Sequence, residues 1–179
     1  MLKVDIILIG SGSVGKTAFG TRFMKENEGD AYNIDYDSIK PTIGCDLFKT
    51  KLTLPSNQII DVNIWDTAGQ ERYKSLTKNY FHKADGVVLA YDITCPDSFY
   101  EVKDNGWMES VMQYCPEDIP KTLIGNKCDL EVDREIESSL GVSLAELYNI
   151  PFYETSGMSG YNVYHVIQDL VERIVDSLN

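Results

Sequence analysis

Eight residues, Gly10-Ser11-Gly12-Ser13-Val14-Gly15-Lys16-Thr17, follow an apolar run from Ile6 to Ile9 and lead into a helical pattern. They spell GxxxxGK[ST] in the strand, turn and helix setting that gives those letters meaning. Glycines let the backbone wrap closely enough for several N–H groups to face one phosphate. The helix that follows adds the positive end of its dipole. Lys16 supplies a point charge for β- and γ-phosphates, and the Thr17 hydroxyl suits Mg²⁺, a hard ion that prefers oxygen. The bland alternative is a chance glycine-rich turn, and the flanking strand and helix disfavour it.

A phosphate cradle does not choose a base. Asn126-Lys127-Cys128-Asp129, after the apolar run Leu123 to Gly125, does. A carboxylate at Asp129 can accept from the N1–H and the exocyclic amine of guanine. Adenine presents an acceptor at N1, which leaves the carboxylate unpaired, and unpaired buried polar groups give discrimination on the order of 10⁴. Trp65-Asp66-Thr67-Ala68-Gly69-Gln70 adds a carboxylate for the metal, a backbone N–H at Gly69 for a γ-phosphate and an amide at Gln70 that can orient water. Pro41-Thr42-Ile43-Gly44 offers a second hydroxyl for Mg²⁺ at Thr42.

These loops need a frame. Leu2 to Ile9, Asp46 to Leu54, Ile59 to Trp65, Val87 to Tyr91, Leu123 to Asn126 and Phe152 to Thr155 read as strands, the second and third as a hairpin through Pro55-Ser56-Asn57. Thr17 to Lys25, Ser98 to Tyr114, Ser138 to Tyr148 and Val163 to Leu178 read as helices. Alternating strands and helices imply a mostly parallel sheet covered on both faces, with ligands at the C-terminal strand ends. The 179 residues fit one domain, 1–179. Sixteen basic against 28 acidic residues give a net charge of −12, which argues against nucleic acid and anionic lipid as partners. Four cysteines, Cys45, Cys95, Cys115 and Cys128, and two distant histidines form neither a zinc nor a disulfide pattern, which points to a reducing cytosol.

With these motifs in order, the sequence resembles the small GTPases of the Ras superfamily, and within them the Rab family. The resemblance runs from about Lys3 to Leu178. Its Rab character rests on Ile43-Gly44-Cys45-Asp46, Trp65 to Tyr73, Tyr80-Phe81-His82-Lys83-Ala84 and Tyr91-Asp92-Ile93-Thr94. The resemblance implies an α/β P-loop NTPase of small G-protein fold, with a mostly parallel six-stranded sheet and helices on both faces. It implies GTP or GDP with Mg²⁺ as ligands, and hydrolysis of GTP by a switch in vesicle trafficking. Gln70, Lys16, Thr42 and Gly69 then serve catalysis, and Thr17, Thr42 and Asp66 the metal. The nucleotide falls to Ser13, Val14, Gly15, Lys16, Thr17, Ala18, Tyr36, Thr42, Gly69, Asn126, Lys127, Asp129, Ser156, Gly157 and Met158. Expected partners are an exchange factor, a GTPase-activating protein and effectors that meet Leu47, Trp65, Tyr80 and the switch loops of a monomer. Family members reach the cytosolic face of endomembranes through a prenylated tail. The last cysteine here is Cys128, so membrane attachment is expected only through a tail beyond this chain.

The departures from the family pattern are specific. Leu47 stands for a usual Phe, Ser13 for a usual Gly, and Glu154-Thr155-Ser156-Gly157-Met158 for ETSAK. The segment from Thr17 to Thr42 is several residues long for the family and carries Glu26, Glu28, Asp30, Asp35 and Asp37, which read as a solvated loop and not a Ca²⁺ site. Both Tyr36 and Tyr32 are candidates to pack on guanine. Arg72, Lys74, Lys78 and Lys83 read as the solvent face of a helix. Trp107 and Met108 read as core, and Cys128 as a small apolar residue. Three rival readings accompany the main one: a P-loop kinase or ATPase, a GTP-bound scaffold that does not hydrolyse, and a Ras- or Rho-like signalling GTPase.

Overall fold

The parity of one strand organises the molecule. The computed structural model describes residues 1–69, 74–104 and 106–178, with residues 74–77 described by their backbone alone. In it Lys3–Ile9 forms β1, where Val4, Ile6 and Leu8 join one apolar cluster while Ile7 and Ile9 join another. Side chains alternate across a strand, so the unbroken apolar run from Ile6 to Ile9 marks a stretch covered on both faces.

The remaining elements are α1 (Lys16–Asn27), β2 (Cys45–Thr53), β3 (Ile59–Thr67), α2 (Lys74–Phe81), β4 (Gly86–Asp92), α3 (Pro96–Lys103), α4 (Trp107–Tyr114), β5 (Lys121–Asn126), α5 (Ser138–Leu147), β6 (Phe152–Glu154) and α6 (Val163–Ser177). The strands form a six-stranded sheet in the order β2-β3-β1-β4-β5-β6. β2 runs antiparallel to β3, and the other neighbouring pairs are parallel. The sheet carries the fold class that the alternation of elements implied. The β2–β3 turn closes through Asn57, whose φ of 63° lies in the left-handed region that Asn tolerates.

Helix α6 turns Val163, Val166, Ile167, Leu170, Val171 and Ile174 onto one face of the sheet, beside Phe19 and Phe23 of α1. The opposite face receives Phe81, Phe99, Val102, Trp107, Met108, Val111, Leu144 and Ala145. Trp107 and Met108 are each 1% exposed, as core residues. One expected element is corrected: Ser98 to Tyr114 is not a single helix. α3 begins at Pro96, which fits the first helical turn because it needs no N–H there. It ends with the Asp104 N–H on the Tyr100 carbonyl, and α4 starts anew after Gly106, whose φ is 139°. That backbone angle favours glycine and no helix passes through it.

The C-terminal ends of β1, β3, β4, β5 and β6 all open to the same edge. The loops that follow them, from Gly10, Ala68, Ile93, Lys127 and Thr155, are therefore neighbours.

Candidate nucleotide site

The turn after β1 is shaped by what surrounds it. A Cβ on Gly10 would lie 2.2 Å from the Ala90 carbonyl oxygen, so β4 leaves no room for a side chain there. Gly15, at φ 93°, caps α1 without a side-chain hydrogen bond, which leaves the first-turn N–H groups of α1 without a side-chain partner at the cap. Ser13 takes φ 65°, a left-handed angle, without being glycine. A cleft of about 370 Å³ lies over this turn, lined by Gly12, Ser13, Gly15, Lys16, Thr17, Ala18, Thr42, Gly69 and Lys127 among others.

At one end of the cleft Lys16 is 7% exposed, and its Nζ donates to the Gly10 and Ser11 carbonyls at 2.8 and 2.9 Å. Burial pushes its ammonium down to about 8, partly offset by Asp66 and Glu101. Beside it three oxygens converge. Thr17 Oγ1 is 2.8 Å from Thr42 Oγ1, and both hydroxyls reach Asp66 Oδ2, at 2.5 and 3.0 Å. Asp66 is fully buried, and burial raises its carboxyl above the usual range. Its Oδ1 has no hydrogen-bond partner among the described residues. Two hydroxyls and a buried, half-satisfied carboxylate are the donor set a hard divalent cation takes, so these residues fit Mg²⁺. Gly69 lies against this turn so tightly that a Cβ would sit 2.3 Å from the Gly12 nitrogen. Gln70 lies outside the described residues.

At the other end, the Asn126 amide donates to the Val14 carbonyl at 2.9 Å, and its oxygen accepts from Thr155 Oγ1 at 3.0 Å. Lys127, at φ 65°, pairs its Nζ with Asp92 Oδ2 at 2.7 Å. Ser156 Oγ donates to Asp129 Oδ1 at 2.7 Å. The four residues of the base motif and Thr155 to Met158 thus form one wall, bonded to the phosphate turn. Of the two candidate aromatics, Tyr32 is 98% exposed, whereas the Tyr36 hydroxyl donates to the Gly157 carbonyl at 2.6 Å. Met158 is half exposed at the rim.

Leu47 and Trp65 pair across β2 and β3, and the Trp65 and Tyr80 rings stand 5.0 Å apart, which brings the three expected effector residues together. Lys78 of α2 is exposed; Lys83 is exposed too but lies in the turn beyond the end of α2, and Arg72 and the Lys74 side chain lie outside what is described. Cys128 is half buried against the core, and burial raises its thiol.

Four residues of this region escaped the sequence reading. Asp92 holds Lys127, Thr155 holds Asn126, Glu101 accepts a hydrogen bond from the Ser11 hydroxyl, and Arg22 holds the Gly157 and Met158 carbonyls. Asp92 carried a signal, because an acid directly ended the buried run Val87 to Tyr91. Arg22 carried one too, as a base between Phe19 and Phe23 on the buried side of a helix.

A mostly parallel sheet whose first strand runs into GxxxxGK[ST] at the head of a helix defines the P-loop nucleoside triphosphatases. The Ras family model matches residues 5–176. GTP-binding protein YPTM1 of Zea mays is 38% identical over 158 residues, 88% of this chain and 71% of that protein. Ras-related protein Rab-3 of Caenorhabditis elegans is 37% identical over 173 residues, 97% and 74% of the two chains. GTP-binding protein YPT1 of Saccharomyces cerevisiae is 35% identical over 174 residues, 97% and 80%. The chain belongs to the Ras family and is a Rab-like small GTPase, a hydrolase of GTP. A switch role in vesicle trafficking is typical of that family, as are guanine-nucleotide binding and exchange, activating and effector partners. No helix among the described residues is long and apolar enough to cross a membrane.

Proposed function

We propose that residues 1–179 act as one G domain that grips GTP at both ends of the cleft over the P-loop and switches partners when GTP is cleaved. One observation carries the assignment of residues. The Asn126 amide is bonded to the Val14 carbonyl, so the base motif and the phosphate turn form a single rigid cradle. In this reading Asp129 accepts from the guanine N1–H and exocyclic amine, the Gly157 N–H faces the base oxygen, and Tyr36 closes the rim. Ser13 to Ala18 wrap the phosphates. Thr17, Thr42 and Asp66 would hold Mg²⁺, which when bound supplies positive charge against the phosphate oxygens.

Hydrolysis proceeds by attack of water on the γ-phosphorus, with rupture of the bond to the β–γ bridging oxygen. Gln70 orients the water. Lys16 and the loop N–H groups, Gly69 included, stabilise the negative charge that spreads in the transition state. Arg22 and Arg134 are bonded to carbonyls and carboxylates elsewhere, and Arg173 to Asp169. None of these three described arginines is placed as a cationic group for the γ-phosphate, and in this reading an activating protein supplies that charge, with unassisted turnover slow. Thr42 and Gly69 hold their loops to the γ-phosphate, and its loss releases both. Effectors read that change at Leu47, Trp65 and Tyr80 of a monomer. Attachment to the cytosolic face of endomembranes falls to a lipidated tail.

The test is base preference. Asp129→Asn is expected to move selection from guanine toward xanthine nucleotides by at least tenfold in a competition assay. An unchanged preference removes Asp129 from base recognition.

A further inference from the structure

Arg22 does more than pack. It is 9% exposed and spreads three donors over three carbonyls: Nε to Gly157 at 3.1 Å, Nη2 to Met158 and Nη1 to Ala31 at 3.0 Å. The guanidinium carbon lies 5.7 Å from the centroid of the Tyr36 ring, and Nε is 3.8 Å from Glu26 Oε1. Tyr36 in turn donates to the same Gly157 carbonyl that Arg22 holds. One side chain of α1 therefore joins the 31–36 segment to the 157–158 segment.

Those two carbonyls are not incidental. A trans peptide points its C=O and the next N–H in opposite directions. Holding the Met158 carbonyl on Arg22 turns the Ser159 N–H the other way, where it donates to Ser156 Oγ at 3.0 Å. Ser156 Oγ donates onward to Asp129 Oδ1 at 2.7 Å. A relay thus leads from Arg22 through Met158–Ser159 and Ser156 to the carboxylate that faces the base, and hydrogen bonds in series strengthen one another. A guanidinium serves three directions at once in one plane, which an ammonium on a flexible stem does not.

We infer that Arg22 is a positioning residue for the guanine end of the site, and that it couples outward movement of the 31–36 segment to loosening of the base. The inference rests on the reading that Asp129 and Ser156 to Met158 take the base. A partner that pulls Ala31 to Tyr36 away from α1 thereby also frees the Gly157 and Met158 carbonyls, and the nucleotide leaves from its base end.

The experiment measures dissociation of a fluorescent GDP into excess GDP with Mg²⁺ present, for Arg22→Met, Arg22→Lys, Tyr36→Phe and the Arg22→Met/Tyr36→Phe double variant. Arg22→Met is expected to speed release at least tenfold, and Arg22→Lys to recover part of the loss. The double variant is expected to fall short of the product of the single effects, since both groups serve one carbonyl. Inosine diphosphate, which lacks the exocyclic amine, gives a second readout: Arg22→Met speeds its release less than that of GDP if the relay ends on Asp129. If Arg22→Met does not fold, Arg22→Lys and its double variant with Tyr36→Phe carry the same comparison. Release within twofold of wild type, strictly multiplicative effects, or equal acceleration for both nucleotides overturns the inference. Asp129→Asn keeps the two readings apart. A gain for xanthine nucleotides alongside unaltered release from the Arg22 variants sinks this inference alone, whereas no gain sinks the base assignment itself.

Discussion

Gly69→Ala tests how closely the segment after β3 must lie against the phosphate turn. A methyl group there would stand 2.3 Å from the Gly12 nitrogen and the Ser11 carbonyl carbon, and 2.5 Å from the Ser11 oxygen. Ordinary contact begins at 3.4 Å, so the two segments have to part by about 1 Å, and every neighbour concerned is backbone. Overpacking of this kind costs about 1–3 kcal/mol. For a chain of this size that corresponds to a fall in Tm of about 2–12 °C. The consequence for catalysis is larger. A displacement of about 1 Å at a reacting centre costs on the order of 10²-fold in rate. The assay is phosphate release in a single turnover from protein preloaded with GTP, run beside GDP dissociation. Hydrolysis is expected to slow about a hundredfold, while GDP dissociation changes by less than about threefold because GDP has no γ-phosphate for the Gly69 N–H to meet. Cleavage within about threefold of wild type refutes the argument that this contact positions the Gly69 N–H.

Other outcomes are expected on the same reading. Gln70→Leu is expected to lower activator-stimulated hydrolysis at least a hundredfold with GTP affinity nearly intact, read as phosphate release at saturating activating protein; equal rates exclude Gln70 from the mechanism. Ser13→Gly removes a side chain from a left-handed φ of 65° and is expected to stabilise the fold by about 1 kcal/mol, a rise of roughly 2–4 °C by calorimetry. Asp5 accepts from Trp65 Nε1 at 2.9 Å and Asn63 Nδ2 at 2.7 Å. Asp5→Ala is therefore expected to cost about 1–3 kcal/mol in denaturant unfolding and to shift Trp65 emission to the red, with Trp65→Phe as the control; an unmoved spectrum shows that Asp5 does not fix the indole.

Much of the site was readable because local chemistry dictates it. GxxxxGK[ST] needs only eight neighbouring residues and the strand before them, and Asn126 to Asp129 needs only the end of β5. The strands were readable for a related reason, since β1, β4 and β5 are buried on both faces and show unbroken apolar runs. What stayed hidden depends on partners distant along the chain. Asp92 meets Lys127, Glu101 meets Ser11, and Arg22 meets residues more than 130 positions away, and no periodicity encodes such pairs. The register of the long loop was obscure for the same reason. Tyr32 and Tyr36 look alike in sequence, and the Gly157 carbonyl separates them. The break between α3 and α4 lay in plain view at Gly106 but was outweighed by the helical spacing on either side.

The outer position of β2 carries a hazard and its remedy. A terminal strand presents unsatisfied main-chain groups to any passing extended segment, which is how soluble sheets come to stack into fibres. Lys49 and Lys51 stand exposed along β2, and the Asn27 amide at the close of α1 occupies the Lys51 carbonyl at 2.9 Å and the Thr50 hydroxyl at 2.7 Å. Repulsive charge and a plugged acceptor together make this rim a poor template for lateral growth.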